Sequence, residues 1–181
     1  MLIIKNRLTC VHAGHGDTWV GKPPGSLLRD EDARAAVASL QLSGLPVELD
    51  EHIIRTQWEK LAVNASINGI TAIINCKNGA LLENPHGMSL VTNICTEVAQ
   101  VMKASGIPPS PSTKLLSKVS RVLHQCAENF SSMQQDMSMG RPTEIDYING
   151  FVVKQGVRFG VPTPTNRAII DLVRMKEQLR T

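Results

Sequence analysis

WEKLAVNASINGITAIINCKNGALL, residues Trp58 to Leu82, carries no charged residue between Lys60 and Lys77. Trp58, Leu61, Val63, Ile67, Ile70 and Ile73 surround the segment, and a helix that is apolar all round belongs inside a protein. Lys60, Asn64 and Asn68 nevertheless recur at intervals of four. That spacing stacks them on one helical face, turn above turn, and Thr71 continues the row at the next three-residue step. A buried amide without a partner costs about 1–3 kcal/mol. The row therefore has two readings. In one, the asparagines satisfy nearby loops and Lys60 snorkels to water. In the other, the row is the wall of a site facing a polar ligand, with Lys60 as acid or anion binder.

The surrounding chain of 181 residues is long enough for one good core and a small appendage. Hydrophobic residues make up 42% and charged ones 19%, the balance of a soluble globular protein. The net charge is only +3, there is no basic tract, and aromatics at 3% offer no stacking platform, so no nucleic-acid partner is expected. Cys10, Cys76, Cys95 and Cys126 are scattered singly, which reads as reduced cytosolic thiols rather than a disulfide framework. MLIIKNRL is too short for a signal h-region and lacks a small-residue cleavage site. No apolar run approaches the ~20 residues of a membrane span. No membrane partner is expected, and the localisation reads as cytoplasmic.

Along the chain, Leu2 to His12 and Asp17 to Gly21 read as two short strands joined by a turn at Ala13-Gly14-His15-Gly16. Gly14-x-Gly16 is not a dinucleotide fingerprint, because Trp19 stands where a third glycine is needed and strand-like residues follow. His12 and His15 lack acidic or cysteine partners nearby, so no metal site is expected. Asp30 or Asp32 can cap a helix through about Ser43, closed by Gly44, and Leu45 to Leu49 reads as a strand. Residues 1–49 thus form a β-α-β scrap, and residues 50–181 are helical almost throughout. Asp50 caps the central helix, which runs to about Asn75, and Lys77-Asn78-Gly79 is a turn. A helix follows from Pro85 to Ala104 and another from Ser112 or Thr113 to about Asn129. Ser131 to Met139 is a short helix whose methionines read as adaptable core filling. Thr143-Glu144-Ile145-Asp146 has the arrangement of a capping box opening a helix to about Phe159, and a last helix runs from Pro164 to about Leu179.

Three motifs in order, WEKLAVNASINGITAIINCKNGALL, ENFSSMQQDMSMGRPTEIDYINGFVV and GVPTPTN, resemble the C-terminal domain of the ketopantoate (2-dehydropantoate 2-) reductase family. The likeness covers about Leu45 to the C-terminus, and HAGHGDTWVG resembles the final strands of that family's nucleotide domain. The resemblance implies a mainly α, multi-helix substrate domain preceded by a small β-α-β remnant of a Rossmann domain. It implies NADPH-dependent reduction of 2-dehydropantoate to pantoate on the way to pantothenate, with NADP(H) as cofactor. Lys60 matches the lysine that gives a proton to the nascent alkoxide. Asn64, Asn68, Asn78 and Ser132 match substrate-binding residues, with Asn129 beside them, and Glu144 matches the glutamate that contacts the cofactor. The chemistry agrees: hydride arriving at a ketone leaves charge on oxygen, which an ammonium stabilises and then protonates. Asparagine amides and a hydroxyl orient a hydroxy-keto acid without repulsive charge. A helix start at Glu144 would favour its ionised form.

The G-x-G-x-x-G loop of the family's nucleotide domain has no counterpart here, and the chain begins near that domain's end. A fragment, a late start and a protein that has lost cofactor binding all fit. Beside the reductase stand two alternatives: a non-catalytic helical remnant that dimerises or binds a ligand, a homodimer being one partner it allows, and a reductase of another 2-keto acid.

Overall fold

The computed structural model describes residues 2–6, 9–12 and 17–179. The chain divides into two compact units, Met1–Ile54 and Arg55–Thr181.

In the first unit, β1 (Leu2–Asn6) and β2 (Thr9–His12) pair antiparallel, with Leu2 opposite His12 and Asn6 opposite Thr9. The stretch expected to be one strand is therefore a hairpin. The turn expected at Ala13 to Gly16 lies outside the described residues. β3 (Thr18–Val20) instead pairs with β4 (Val47–Leu49), in parallel, with Trp19 opposite Glu48. A parallel pair needs a crossover, and α1 (Asp30–Gln41) supplies it, burying Ala33 and Val37. Gln41 Nε2 donates to the Val47 carbonyl at 2.7 Å and ties the helix to the strand. The β-α-β arrangement is small, and Trp19, Leu27, Leu28, Leu42 and Leu45 are left exposed.

The second unit is helical. It contains all but the first two residues of α2 (Ile53–Ile74), a 3-10 turn at Asn78–Leu81, α3 (Pro85–Ala104), α4 (Ser112–Gln125), α5 (Ser132–Ser138), α6 (Asn149–Phe159) and α7 (Pro164–Gln178). α2 is its spine: Trp58, Ala62, Ala65, Ile67, Ile70 and Ala72 are all buried. Small residues let other helices close on it. At Gly69 an added Cβ would lie 2.4 Å from Ile169 Cγ2 of α7, so the glycine is the notch that the isoleucine fills. Val91, Ile94, Val98 and Val101 of α3, Leu115, Val119 and Leu123 of α4, and Met133 and Met137 of α5 complete the core.

The caps explain where the helices begin. Asn84 Oδ1 accepts from His86 N and Gly87 N, with Pro85 at the first position, where its missing N–H costs nothing. Ser131 Oγ accepts from Gln134 N at the head of α5. One boundary differs from the sequence expectation: α6 starts at Asn149, not at Thr143. The Thr143 N–H is taken by the Glu177 carboxylate at 2.9 Å, and Asp146 is spent on Arg174 at 2.6 Å. The capping box therefore does not form, and residues 145–148 make turns.

Candidate active site

Lys60, Asn64 and Asn68 all lie on the continuous helix α2. At a rise of about 1.5 Å per residue the row extends roughly 12 Å along the axis. It grades inward: Lys60 is exposed, Asn64 half-buried, and Asn68 8% exposed. The Lys60 ammonium and the Asn64 and Asn68 amides have no hydrogen-bond or ion-pair partner among the described residues. The Asn68 amide is not sealed off either, since it is absent from the fully enclosed polar groups that lack a partner. An amide at this depth normally has a hydrogen-bond partner. Thr71, the next member of the row, is different. Its hydroxyl is fully buried and is occupied by the Ile67 and Asn68 carbonyls and by Ser131 Oγ at 2.8 Å.

Glu59, next to Lys60, does not neutralise it, because its carboxylate points into the core. It accepts from Ser110 Oγ at 2.6 Å and Lys118 Nζ at 3.0 Å, with Lys114 Nζ at 3.4 Å. Burial pushes the Glu59 carboxyl up, but the Ser110 hydroxyl and the two ammonium groups outweigh it and hold it at about 2. Glu59 is therefore not an ion-pair partner of Lys60.

The start of α5 is joined to the row. Thr71 is one turn beyond Asn68, and it bonds Ser131, the residue before Ser132. Ser132 itself is exposed at the first position of α5. The Asn78 backbone N–H donates to the Asn129 carbonyl at 2.9 Å and Gly79 N to Ala127 O at 3.0 Å. An added Cβ on Gly79 would lie 2.7 Å from Ala127 Cβ, so glycine is required for this approach. Asn78 is 7% exposed; its Nδ2 donates to the Cys126 carbonyl at 3.3 Å while its Oδ1 is enclosed without a partner. That amide therefore holds the loop before α5.

Glu144 is exposed on the turn before α6, its carboxylate unpartnered among the described residues. Only its carbonyl is used, accepting from Tyr147 N and Ile148 N. The expected support from a helix start is absent, because α6 begins five residues later, at Asn149. No hydrogen bond joins Glu144 to α2 or α5 among the described residues. The Thr71–Ser131 bond thus links α2 to the residue before Ser132, the Asn78–Asn129 bond joins the 3-10 turn to the loop before α5, and Glu144 lies on a separate turn.

The sequence reading missed a buried polar chain behind the row. Glu97 on α3 accepts from Thr165 N at 2.7 Å, Asn166 N at 3.0 Å and Asn166 Nδ2 at 2.7 Å. Asn149 Nδ2 donates to Asn166 Oδ1 at 2.9 Å and to the Ala65 carbonyl of α2 at 3.1 Å. Glu97 was detectable, as a carboxylate on the same face of α3 as Val91, Ile94, Val98 and Val101. A cavity of about 350 Å³ between α6 and α7 is lined by Asp146, Lys154, Arg167 and Arg174 over Val153 and Ile170, and contains none of Lys60, Asn64, Asn68, Asn78, Ser132 and Glu144.

A dinucleotide's pyrophosphate would seat where a strand feeds a helix N-terminus. Between β3 and α1 that place carries Asp30, Glu31 and Asp32 in the first helical turn. Two nearby cations are already engaged, Lys22 with Asp30 at 2.7 Å and Arg29 with Asp32 at 3.1 Å. These residues do not fit a pyrophosphate. Among the described residues no three His, Cys, Asp or Glu side chains converge as metal ligands, and no helix is long and apolar enough to cross a membrane.

The family described as ketopantoate reductase PanE/ApbA C terminal matches residues 52–177. The 2-dehydropantoate 2-reductase of Archaeoglobus fulgidus is 38% identical over 164 residues, covering 91% of this chain and 54% of that protein. That of Vibrio cholerae is 41% identical over 167 residues, covering 92% and 55%. The chain spans about half the length of these curated relatives. Among solved structures, a PanE/ApbA family ketopantoate reductase from Ralstonia eutropha JMP134 superposes with a TM-score of 0.80 at 26% identity, over 93% of this chain and 54% of that one. D-mandelate dehydrogenase, in a ternary structure with NADH and anilino(oxo)acetate, gives 0.77 at 28% identity over 83% and 50%. With a family match over most of its length and relatives of this identity, the chain belongs to the ketopantoate reductase family and carries its C-terminal domain.

Proposed function

We propose that this chain is the substrate-holding and proton-donating part of a 2-dehydropantoate 2-reductase that uses NADP(H) in pantothenate biosynthesis in the cytoplasm. The observation that carries the reading is the nearly buried Asn68 amide, in line with the Lys60 ammonium, neither with a partner among the described residues. Asn64, Asn68 and Ser132 orient the keto acid, and Asn78 shapes the wall behind Ser132. As a hydride reaches the keto carbon, the carbonyl oxygen takes the negative charge, and Lys60 stabilises it and delivers the proton that completes the alcohol. Glu144 is the residue on offer to the nicotinamide nucleotide. Residues 50–181 form the substrate domain, and residues 1–49 are the closing part of a nucleotide-binding domain. The exposed Trp19, Leu27, Leu28 and Leu45 of the first unit support that division, being apolar surface a larger sheet would cover.

The acidic first turn of α1 favours a second reading for the chain by itself: a module that binds the keto acid without turnover. NADPH oxidation by the purified chain with 2-dehydropantoate, beside Lys60→Ala, separates the two. Steady turnover lost in the variant supports the reductase. No turnover alone, but Lys60-dependent turnover once a separate nucleotide-binding domain is mixed in, supports the module. D-mandelate dehydrogenase was solved with anilino(oxo)acetate, so an aromatic 2-keto acid belongs in the same assay as a rival substrate.

A further inference from the structure

We propose that Thr71 and Ser131 are positioning residues that set Ser132 against Asn68, an inference that rests on the substrate-site reading above. Their hydroxyls meet at 2.8 Å, and both residues are buried, Thr71 completely and Ser131 to within 6%. Thr71 follows Asn68 by one turn of α2, and Ser131 precedes Ser132 at the head of α5. This contact therefore links the two segments that carry the amide and the hydroxyl. A second rung lies further along both helices: Gln134 Nε2 donates to Asn75 Oδ1 at 2.7 Å. Asn75 has a φ of 54°, the left-handed conformation that ends α2 and turns its side chain to a fixed place. Behind this turn, Lys176 of α7 donates to the Ala72 and Ile73 carbonyls at 2.8 and 2.6 Å, anchoring the C-terminus of α2 from the opposite partner.

The two rungs serve different ends from an ordinary cap. Ser131 Oγ already caps α5 by accepting from Gln134 N at 3.1 Å. A hydroxyl can accept that bond and still donate or accept one more. The additional bond goes across to α2 rather than to solvent. α5 is only seven residues long, too short to hold its own direction, so the angle at which it presents Ser132 depends on its contacts, these rungs together with the buried Met133 and Met137.

The test uses Thr71→Val, which keeps the volume of the side chain and leaves the Ser131 cap of α5 intact, and Thr71→Ser, which keeps the hydroxyl. Affinity of the full chain for 2-dehydropantoate is measured by calorimetry well below the melting temperature of every variant. Val119→Ala, in the core of α4, serves as a control for destabilisation away from the site. The expected result is an affinity about tenfold weaker in Thr71→Val, recovery to within about twofold in Thr71→Ser, and no change in Val119→Ala. Gln134→Leu, which removes the other rung, weakens binding in the same direction and covers the case in which Thr71→Val does not fold. Wild-type affinity in both Thr71→Val and Gln134→Leu, with binding still lost in Asn68→Ala, overturns the positioning role and leaves the site standing. Wild-type chain that does not bind, or binds as well after Asn68→Ala, overturns the site and the positioning role with it.

Discussion

Glu97 of α3 holds Asn166 of α7 twice, through its backbone N–H at 3.0 Å and its side-chain Nδ2 at 2.7 Å. The same carboxylate takes Thr165 N, so an acidic side chain from one helix caps the N-terminus of another. Glu97→Ala leaves these buried donors unsatisfied and is expected to cost about 3 kcal/mol in urea unfolding. Glu97→Gln, which keeps one acceptor, is expected to cost less. Equal stability of Glu97→Ala and wild type would show that the cap contributes nothing.

The carboxyl of Glu59 gives the protein an acid-sensitive element. Its folded value of about 2 lies below the ordinary 4.5, so ionised Glu59 favours the folded state. That stabilisation is complete above about pH 4.5 and is lost as pH falls toward 2. Lys114 and Lys118 are partly exposed, so after allowance for solvent screening the effect is about 2 kcal/mol. Urea unfolding between pH 6 and pH 3 is expected to show a slope in the wild type that is shallower in Glu59→Gln.

Gly69→Ala isolates the contact between α2 and α7. Alanine favours a helix by about 1 kcal/mol over glycine, but its Cβ would lie 2.4 Å from Ile169 Cγ2, in a side chain only 2% exposed. Overpacking of this kind costs about 1–3 kcal/mol, so net destabilisation is expected. Adding Ile169→Ala is expected to recover part of that loss, with a coupling of about 1 kcal/mol in a double-mutant cycle. Additive effects of the two substitutions would mean that they do not meet.

The helix order and the family were legible in the sequence because they rest on local signals. Pro85 after Asn84 marks the start of α3, and the four-residue spacing of Lys60, Asn64 and Asn68 can be read within one helix. Long-range contacts were not legible. Thr143-Glu144-Ile145-Asp146 has the letters of a capping box, but Glu177, 34 residues on, takes the Thr143 N–H. Nothing local to Glu59 marks it as buried: Ser110 and Lys118, which close on it, lie 51 and 59 residues away. The Thr71–Ser131 contact spans 60 residues, and no periodicity encodes it. The hairpin of β1 and β2 was missed because Leu2 to His12 was read as one strand, with its turn placed after His12.

Nuclear magnetic resonance titration of the isotopically labelled chain with 2-dehydropantoate tests the central claim most directly. The expected result is saturable shifts of the Asn64 and Asn68 side-chain amides and of the Ser132 backbone amide, reduced in Lys60→Ala. Shifts confined to the cleft of Lys154, Arg167 and Arg174, or none at saturating ligand, would contradict the account.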